Sequence, residues 1–198
     1  MVAVLIVGWL LLSGGDIPLV DDGPSGPSSF SFELAGNVRL SSTSQTPPAE
    51  LAGAARNAGD GVKETMDELY FRAFLDTDSW GDYADAFALF DTQAAARAQA
   101  DTEVLTLGST AGETFDSVRP TSGELAISVL MDKDKPATAV AEVEFLADAT
   151  RSDGGTTAIA SSGSYYLRQV DGAWRVFAYD VDRDDTTAAA PSPTGSPS

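Results

Sequence analysis

The sequence predicts an α+β domain in which N-terminal helices pack in the concave face of a curved antiparallel sheet of four or more strands. Apolar residues recur with a helical period between residues 61 and 107, and with a period of two after residue 123. The dipeptide Asp171-Gly172 separates two alternating segments and is the strongest hairpin signal in the chain. All five tyrosines and seven of the nine phenylalanines lie within residues 62–183, so this stretch can bury a core.

The composition excludes several classes of site and partner. The chain has 198 residues, enough for one domain with tails, and it contains no cysteine and no histidine. It therefore cannot build a disulfide framework, a thiolate metal site or an imidazole base. Twelve Lys and Arg against 30 Asp and Glu give a formal charge of −18 without a basic cluster, which argues against nucleic-acid binding. We expect no cofactor, because no phosphate-binding or dinucleotide-binding motif occurs.

Residues 1–12 are uncharged and apolar, which is typical of a signal peptide or a transmembrane anchor. A helix of this length extends about 18 Å, less than the roughly 30 Å hydrocarbon layer of a bilayer. A start upstream of Met1 would supply the basic flank and the further apolar residues that the segment lacks. We expect a single-pass membrane protein with its domain outside the cytoplasm, or a secreted protein if the segment is cleaved.

Residues 13–60 have the composition of a flexible linker, because 20 of these 48 residues are Gly, Pro or Ser. An apolar island interrupts the linker at residues 29–40, where Phe30, Phe32 and Leu34 alternate as on a one-faced strand. The island docks on the main domain, docks on a partner, or remains a disordered apolar segment. A weak helix is predicted for residues 49–58.

Three helices open the domain that we assign to residues 61–183. Each has apolar residues at the spacing of one helix face. Their predicted ranges are residues 61–75, 80–90 and 92–107. Asp91 is predicted to cap the third helix, and Gly108 stands where a helix commonly ends.

Four strands follow, each with alternating apolar residues. Their predicted ranges are residues 123–132, 137–148, 156–170 and 173–182. Residues 184–198 are predicted to be a disordered tail, because they contain few large apolar side chains.

A two-residue turn at Asp171-Gly172 predicts the pairing of the last two strands. The pairs expected to face the helices are Leu167–Val176, Tyr165–Ala178 and Gly163–Asp180, with Trp174 on the same face. The pairs expected on the outward face are Arg168–Arg175, Tyr166–Phe177 and Ser164–Tyr179. Opposed arginines are unfavourable, and Glu142 and Glu144 of the neighbouring strand are expected to neutralise them.

The outward face of this hairpin is predicted to carry an aromatic stripe edged by charge, a composition typical of interfaces. The candidate interface residues are Tyr166, Arg168, Arg175, Phe177 and Tyr179. They suit a protein partner or a homodimer formed through the sheet. The alternatives are single exposed aromatic residues on a twisted sheet, or cover by the apolar island.

The order of helices and strands, with the ending Tyr165-Tyr166-Leu167-Arg168-Gln169-Val170-Asp171-Gly172-Ala173-Trp174-Arg175-Val176, resembles the nuclear transport factor 2-like superfamily. The resemblance covers about residues 62–183. With the N-terminal apolar segment, the chain is also similar to membrane-anchored members such as Mce-associated proteins. The resemblance implies a cone with a cavity and often dimerisation through the sheet, but it does not imply one activity.

A pocket inside such a cone would be lined by aromatic residues of the helices and the sheet. The candidate lining residues are Tyr70, Phe74, Trp80, Tyr83, Phe87 and Tyr165. Asp180 is a weak candidate for a catalytic base, by similarity to enzymes related to ketosteroid isomerases. The alternatives are a plain hydrophobic core and a solvated strand end. No metal site is predicted, because the acidic segment that begins at Asp76 has Trp80 and Phe87 where a calcium loop needs oxygen ligands.

The leading hypothesis for function is a non-catalytic, extracytoplasmic domain that is tethered to the membrane and acts by protein–protein contact. The absence of the usual catalytic residue types and the aromatic sheet face favour it. The alternatives are a small-molecule carrier or isomerase-like enzyme that uses the cone pocket, and a secreted soluble protein.

Overall fold

The structure is a computed structural model, and it describes residues 27–42 and 47–188. It is an α+β fold in which a few helices pack on a mixed six-stranded sheet, so the predicted class is confirmed. The strands are β1 (Glu33–Leu34), β2 (Arg39–Ser42), β3 (Phe115–Asp132), β4 (Lys135–Arg151), β5 (Thr156–Val170) and β6 (Ala173–Ala188). The α-helices are α1 (Pro48–Tyr70), α2 (Ala84–Phe87), α3 (Thr92–Ala100), α4 (Thr102–Leu105) and α5 (Ala111–Thr114).

The sheet has the order β1-β3-β4-β5-β6, and β2 also pairs with β3. The β3–β4, β4–β5 and β5–β6 pairs are antiparallel, as predicted. Strands β1 and β2 run parallel to β3, so the complete sheet is mixed. The reason is that the chain passes through all the helices between β2 and β3, and such a crossover connection joins parallel strands.

The apolar island docks on the domain itself, which resolves one alternative that the sequence left open. The Phe32 side chain is buried, and its ring centroid lies 5.0 Å from that of Tyr70. Asp67 of α1 holds the same segment, because its Oδ1 accepts a hydrogen bond of 2.9 Å from the backbone N–H of Phe32. The island therefore packs at the β3 edge and does not cover the outward face of the β5–β6 hairpin.

Helix α1 begins at Pro48 and joins the weak helix predicted at residues 49–58 to the helix predicted from Gly61. Its glycines lower helix propensity, but two of them, Gly59 and Gly61, allow close packing. A Cβ atom on Gly61 would lie 2.8 Å from Cδ1 of Trp174, and one on Gly59 would lie 2.5 Å from Cγ2 of Val38. The predicted linker of residues 13–60 therefore contains β1, β2 and the first half of α1.

The end of α1 and the following helices differ from their predicted ranges. The last turn, Phe71–Leu75, is a π-helix closed by a hydrogen bond of 2.8 Å from Asp76 N to Phe71 O. The predicted second helix is shorter, because residues 77–79 form a 3₁₀ turn and Gly81 has a φ of 87°. The predicted third helix divides into α3 and α4 at Asp101, and Gly108 has the positive φ expected after a helix end.

Strands β3, β4 and β6 are longer than predicted, whereas β5 has its predicted range. Strand β6 continues to Ala188, which pairs with Thr156, so residues 184–188 belong to the sheet and not to a tail. The Arg183 side chain stabilises this extension by donating hydrogen bonds to the carbonyl oxygens of Glu103 and Thr106. Residues 189–198 lie outside the described residues.

A β-bulge in the last hairpin changes the predicted pairing. The turn and its first four pairs, Val170–Ala173 to Leu167–Val176, are confirmed. The register then shifts, so that Tyr166 opposes Ala178, Tyr165 opposes Tyr179 and Ser164 opposes Asp180. Phe177 is the extra residue, and every side chain after it on β6 faces the side opposite to the one predicted.

The core lies between the helices and the inner face of the sheet. Trp174 is 6% exposed and turned inward, as predicted. In the part of the chain that the structure describes, no helix is long and apolar enough to cross a membrane. The membrane or signal segment predicted at residues 1–12 lies outside that part.

Candidate interaction surface

The candidate surface lies on the outward side of the β5–β6 hairpin, close to its turn. Asp171 and Gly172 have φ values of 52° and 84°, so both residues of the turn adopt the left-handed conformation that a tight hairpin requires. Leu167, Trp174 and Val176 are buried on the inner side. Alternation along each strand therefore presents Arg168 and Arg175 on the outer side.

Four of the five predicted interface residues form this surface, which we call the aromatic–arginine face. They are Tyr166, Arg168, Arg175 and Phe177. The ring centroids of Tyr166 and Phe177 are 6.4 Å apart, and the Arg168 guanidinium carbon lies 5.4 Å from the centroid of the Phe177 ring. Both aromatic side chains are half-buried, so each keeps part of its ring accessible. The face therefore combines accessible aromatic area with guanidinium groups, the two side-chain types enriched in interfaces.

Asp91 holds Arg168 in position. Its Oδ2 accepts a hydrogen bond of 2.5 Å from Arg168 Nη2, and its Oδ1 accepts from the backbone N–H groups of Gln93 and Ala94. Burial alone would raise the pKa of the Asp91 carboxyl. The hydrogen bonds from Ala94 and Arg168 outweigh burial and lower the pKa below its ordinary value.

Arg175 is fixed by a different partner from the same loop. Its Nη1 donates a hydrogen bond of 2.6 Å to the carbonyl oxygen of Ala88. The predicted neutralisation of the two arginines by Glu142 and Glu144 is wrong. Glu142 pairs instead with Arg39, at 2.9 Å, and Glu144 lies opposite Ser162, which is further from the turn than either arginine.

Tyr179, the fifth predicted interface residue, faces the helices because of the β-bulge. It is 7% exposed, and its ring centroid lies 5.7 Å from that of Phe90. Its hydroxyl donates a hydrogen bond of 2.7 Å to Asp101 Oδ2. Burial and this hydrogen bond raise the pKa of Tyr179 above its ordinary value. Tyr179 is therefore part of the core and not of the aromatic–arginine face.

The β-bulge has the opposite effect on Asp180, the weak catalytic candidate. The bulge places it on the outer side of the sheet, opposite Ser164, and its side chain is exposed. The prediction that it faces the helices is wrong, because one extra residue reverses the face of every later side chain on β6. Asp180 and the predicted pocket residues therefore lie on opposite sides of the sheet.

The predicted pocket residues are packed against each other and against the sheet. Tyr70, Phe74, Tyr83, Phe87 and Tyr165 are buried, and Trp80 packs partly buried against the same core. The ring centroid of Tyr70 lies 5.3 Å from that of Phe74 and 6.1 Å from that of Tyr165. These distances leave no room for a ligand between the three rings, so at these positions the residues form core.

A buried hydrogen-bonded cluster lies within this core. The hydroxyl oxygens of Tyr70 and Ser161 are 3.0 Å apart, and the Tyr165 hydroxyl donates to Tyr70 at 3.4 Å. Burial is the main reason that the pKa values of Tyr70 and Tyr165 are raised. Both phenols are therefore neutral at ordinary pH and satisfy each other's polar groups.

Sequence reasoning assigned Asp91 only a helix cap and did not connect it to the surface. Its second role depends on Arg168, which lies 77 residues away along the chain. The available signal was the pair of opposed arginines, which required a nearby acceptor. Among the described residues, no group of three or more His, Cys, Asp or Glu side chains is placed to hold a metal ion.

The chain matches no protein-family model, no curated protein and no solved structure. Its function is therefore argued from the geometry of the surface and the core.

Proposed function

We propose that this chain is a non-catalytic interaction domain that binds a protein through its aromatic–arginine face. The observation that carries the proposal is the fixed position of Arg168, which Asp91 holds beside Phe177. A surface whose side chains are already ordered loses less conformational entropy when a partner binds. The partner is another protein or a second copy of this chain.

Two further observations favour interaction over catalysis. The aromatic residues that would line a pocket fill the core, and Asp180 is exposed on the other side of the sheet. The chain also contains no histidine and no cysteine, the side chains that most often act as base or nucleophile near neutral pH.

We place the domain outside the cytoplasm, tethered by the apolar residues 1–12, and within the nuclear transport factor 2-like superfamily. The order of helices before a long antiparallel hairpin supports the superfamily, and the buried Trp174 supports it too. The apolar composition of residues 1–12 supports the tether. N-terminal sequencing of the mature protein distinguishes a retained anchor from a cleaved signal.

Site-specific photocrosslinking of the full chain in its native membrane tests the interaction. A photoreactive amino acid replaces Tyr166 or Phe177, and the matched control position is Gln99, an exposed residue of α3. We expect a discrete adduct from the two face positions and none from residue 99. An adduct of twice the chain mass identifies a second copy, and any other mass identifies a different partner.

The variant Phe177→Ser provides the second arm of this experiment. Phe177 is half-buried on the outer side of the sheet, so its replacement is expected to reduce the adduct formed from residue 166 while the domain remains folded, as circular dichroism would show. An adduct of equal yield from residue 99, or an adduct that Phe177→Ser leaves unchanged, contradicts the proposal.

A further inference from the structure

A hollow of about 530 Å³ adjoins the aromatic–arginine face at the turn end of the hairpin. Residues from two parts of the chain line it, the loop before α3 with the first turn of that helix, and the β5–β6 hairpin. They include Phe90, Asp91, Arg168, Val170, Asp171 and Arg175. The Arg168 side chain is 50% exposed and Val170 is 38% exposed, so charged and apolar groups are both accessible there.

The two guanidinium groups of the hollow have unused hydrogen-bond donors. Each guanidinium carries five N–H bonds. In residues 27–42 and 47–188, Arg168 donates one hydrogen bond, to Asp91, and Arg175 donates one, to the carbonyl oxygen of Ala88. Both groups are therefore fixed on one side by the protein and retain donors for an acceptor from outside.

The acidic residues of the hollow do not use those donors. The Asp91 carboxylate caps α3 by accepting hydrogen bonds from two backbone N–H groups, and it accepts one further hydrogen bond from Arg168. The remaining N–H groups of both arginines are therefore not bound by Asp91. Asp171 lies at the rim, in the hairpin turn, with a φ of 52°. Its carboxylate makes no hydrogen bond or ion pair with another described residue, so it opposes the approach of an anion without occupying either guanidinium.

We propose that this hollow binds the carboxylate side chains of an acidic segment of the protein partner. This proposal rests on the proposed function and names the chemistry of the partner. Arginine forks bind carboxylates through paired, charge-assisted hydrogen bonds. Val170 and the Phe177 ring beside the arginines supply apolar contact to the residues that flank the carboxylates. The chain as a whole has a formal charge of −18, but two fixed guanidinium groups give this hollow a local preference for anions.

Nuclear magnetic resonance titration of the isotope-labelled full chain tests the proposal. The probes are a capped Gly-Leu-Glu-Glu-Leu-Gly peptide, the matched peptide with Gln-Gln in the centre, and inorganic phosphate. The buffer contains about 150 mM NaCl, where the Debye length of about 8 Å screens the distant acidic residues. We expect the Glu peptide to shift the guanidinium resonances of Arg168 and Arg175, and the Gln peptide to bind at least about tenfold more weakly.

Three variants distinguish specific binding by the arginines of the hollow from a nonspecific effect of charge on peptide binding. Arg175→Gln is expected to weaken Glu-peptide binding about tenfold, a loss of one charge-assisted interaction. Asp171→Asn is expected to strengthen it, because it removes the rim carboxylate and Asn tolerates a positive φ. The control is Arg97→Gln, which removes an arginine that also pairs with an aspartate and lies over an aromatic ring, but outside the hollow. It is expected to change nothing.

The proposal is overturned if the Glu and Gln peptides bind equally, or if Arg175→Gln leaves binding unchanged. It is also overturned if phosphate produces the same shifts at the same concentration, because the site then does not select a protein segment. Photocrosslinking without any adduct, together with intact Glu-peptide binding, would contradict the proposed function alone. Adducts that depend on Phe177 but not on Arg175 would contradict only the carboxylate assignment.

Discussion

The Asp91 carboxylate and the Arg168 guanidinium meet at 2.5 Å, which connects the start of α3 to the outer side of β5. Asp91 therefore caps a helix and positions a residue of the aromatic–arginine face at the same time. We expect Asp91→Asn to lower the free energy of unfolding by about 1–2 kcal/mol, because it weakens a cap and leaves Arg168 without its counterion. Chemical denaturation at neutral pH measures the change.

The same carboxylate gives a pH dependence with a defined sign. The pKa of Asp91 is lower in the folded protein than in the unfolded chain. Its contribution is therefore present above the unfolded pKa of about 4 and is lost as pH falls below it. The difference in stability between the wild type and Asp91→Asn is expected to narrow as pH falls below about 4. A difference that stays constant across this range would contradict the role of the charged form.

Two glycines of α1 provide a matched pair for a second prediction. An added Cβ at Gly61 would contact the Trp174 indole at 2.8 Å, whereas an added Cβ at Gly53 meets no atom within 4 Å. Gly53→Ala is expected to stabilise the protein by about 0.5–1 kcal/mol through helix propensity. Gly61→Ala is expected to destabilise it instead, because the indole must move. Thermal unfolding of both variants measures the opposite signs, and equal shifts would contradict the close packing of α1 on Trp174.

The sequence predicted the parts of the fold that depend on local patterns. The turn at Asp171-Gly172 and the four pairs next to it follow from dipeptide geometry and alternation. The bulge at Phe177 does not, because an extra residue in one strand depends on packing against the rest of the sheet. The one local signal was Gly163 in the middle of β5, where the carbonyl oxygen of Asp180 leaves no space for a Cβ atom.

The same distinction applies to the candidate surface. Tyr166, Arg168, Arg175 and Phe177 lie before or at the bulge, and alternation placed them correctly. Tyr179 and Asp180 follow the bulge, so both were assigned to the wrong face. The weak helix predicted at residues 49–58 is part of α1, but its continuity with the next predicted helix was missed, because the contacts of Gly59 with Val38 and of Gly61 with Trp174 are not visible in the sequence.

The N-terminal island gives a third prediction, about local stability. Asp67 accepts hydrogen bonds from the Phe32 backbone N–H at 2.9 Å and from Ser31 Oγ at 3.1 Å, and Lys63 Nζ pairs with the same carboxylate. Asp67→Asn is expected to weaken this attachment and to increase hydrogen exchange at the Phe32 amide, while the amides of β4 and β5 keep their protection. Hydrogen exchange followed by mass spectrometry measures both regions.

The control for the island is Glu64→Gln, on an exposed neighbouring position of the same helix. It is expected to leave exchange at Phe32 unchanged. If Asp67→Asn raises exchange equally in β4 and β5, the island is not a separate unit and the domain opens as a whole.

The buried tyrosines give a fourth prediction, for alkaline solution. Burial raises the pKa values of Tyr70 and Tyr165 in the folded protein above those in the unfolded chain. The protonated phenols therefore stabilise the fold fully below the unfolded pKa of about 10, and this contribution is lost as pH rises above it. We expect unfolding and tyrosinate absorbance to increase together above that pH. Tyr165→Phe removes one of these phenols. After correction for any change in stability at neutral pH, this variant is expected to unfold at a higher pH than the wild type. Tyrosinate absorbance that rises fully while the circular dichroism stays native would show that the two phenols ionise within the fold, contrary to their burial beside Ser161.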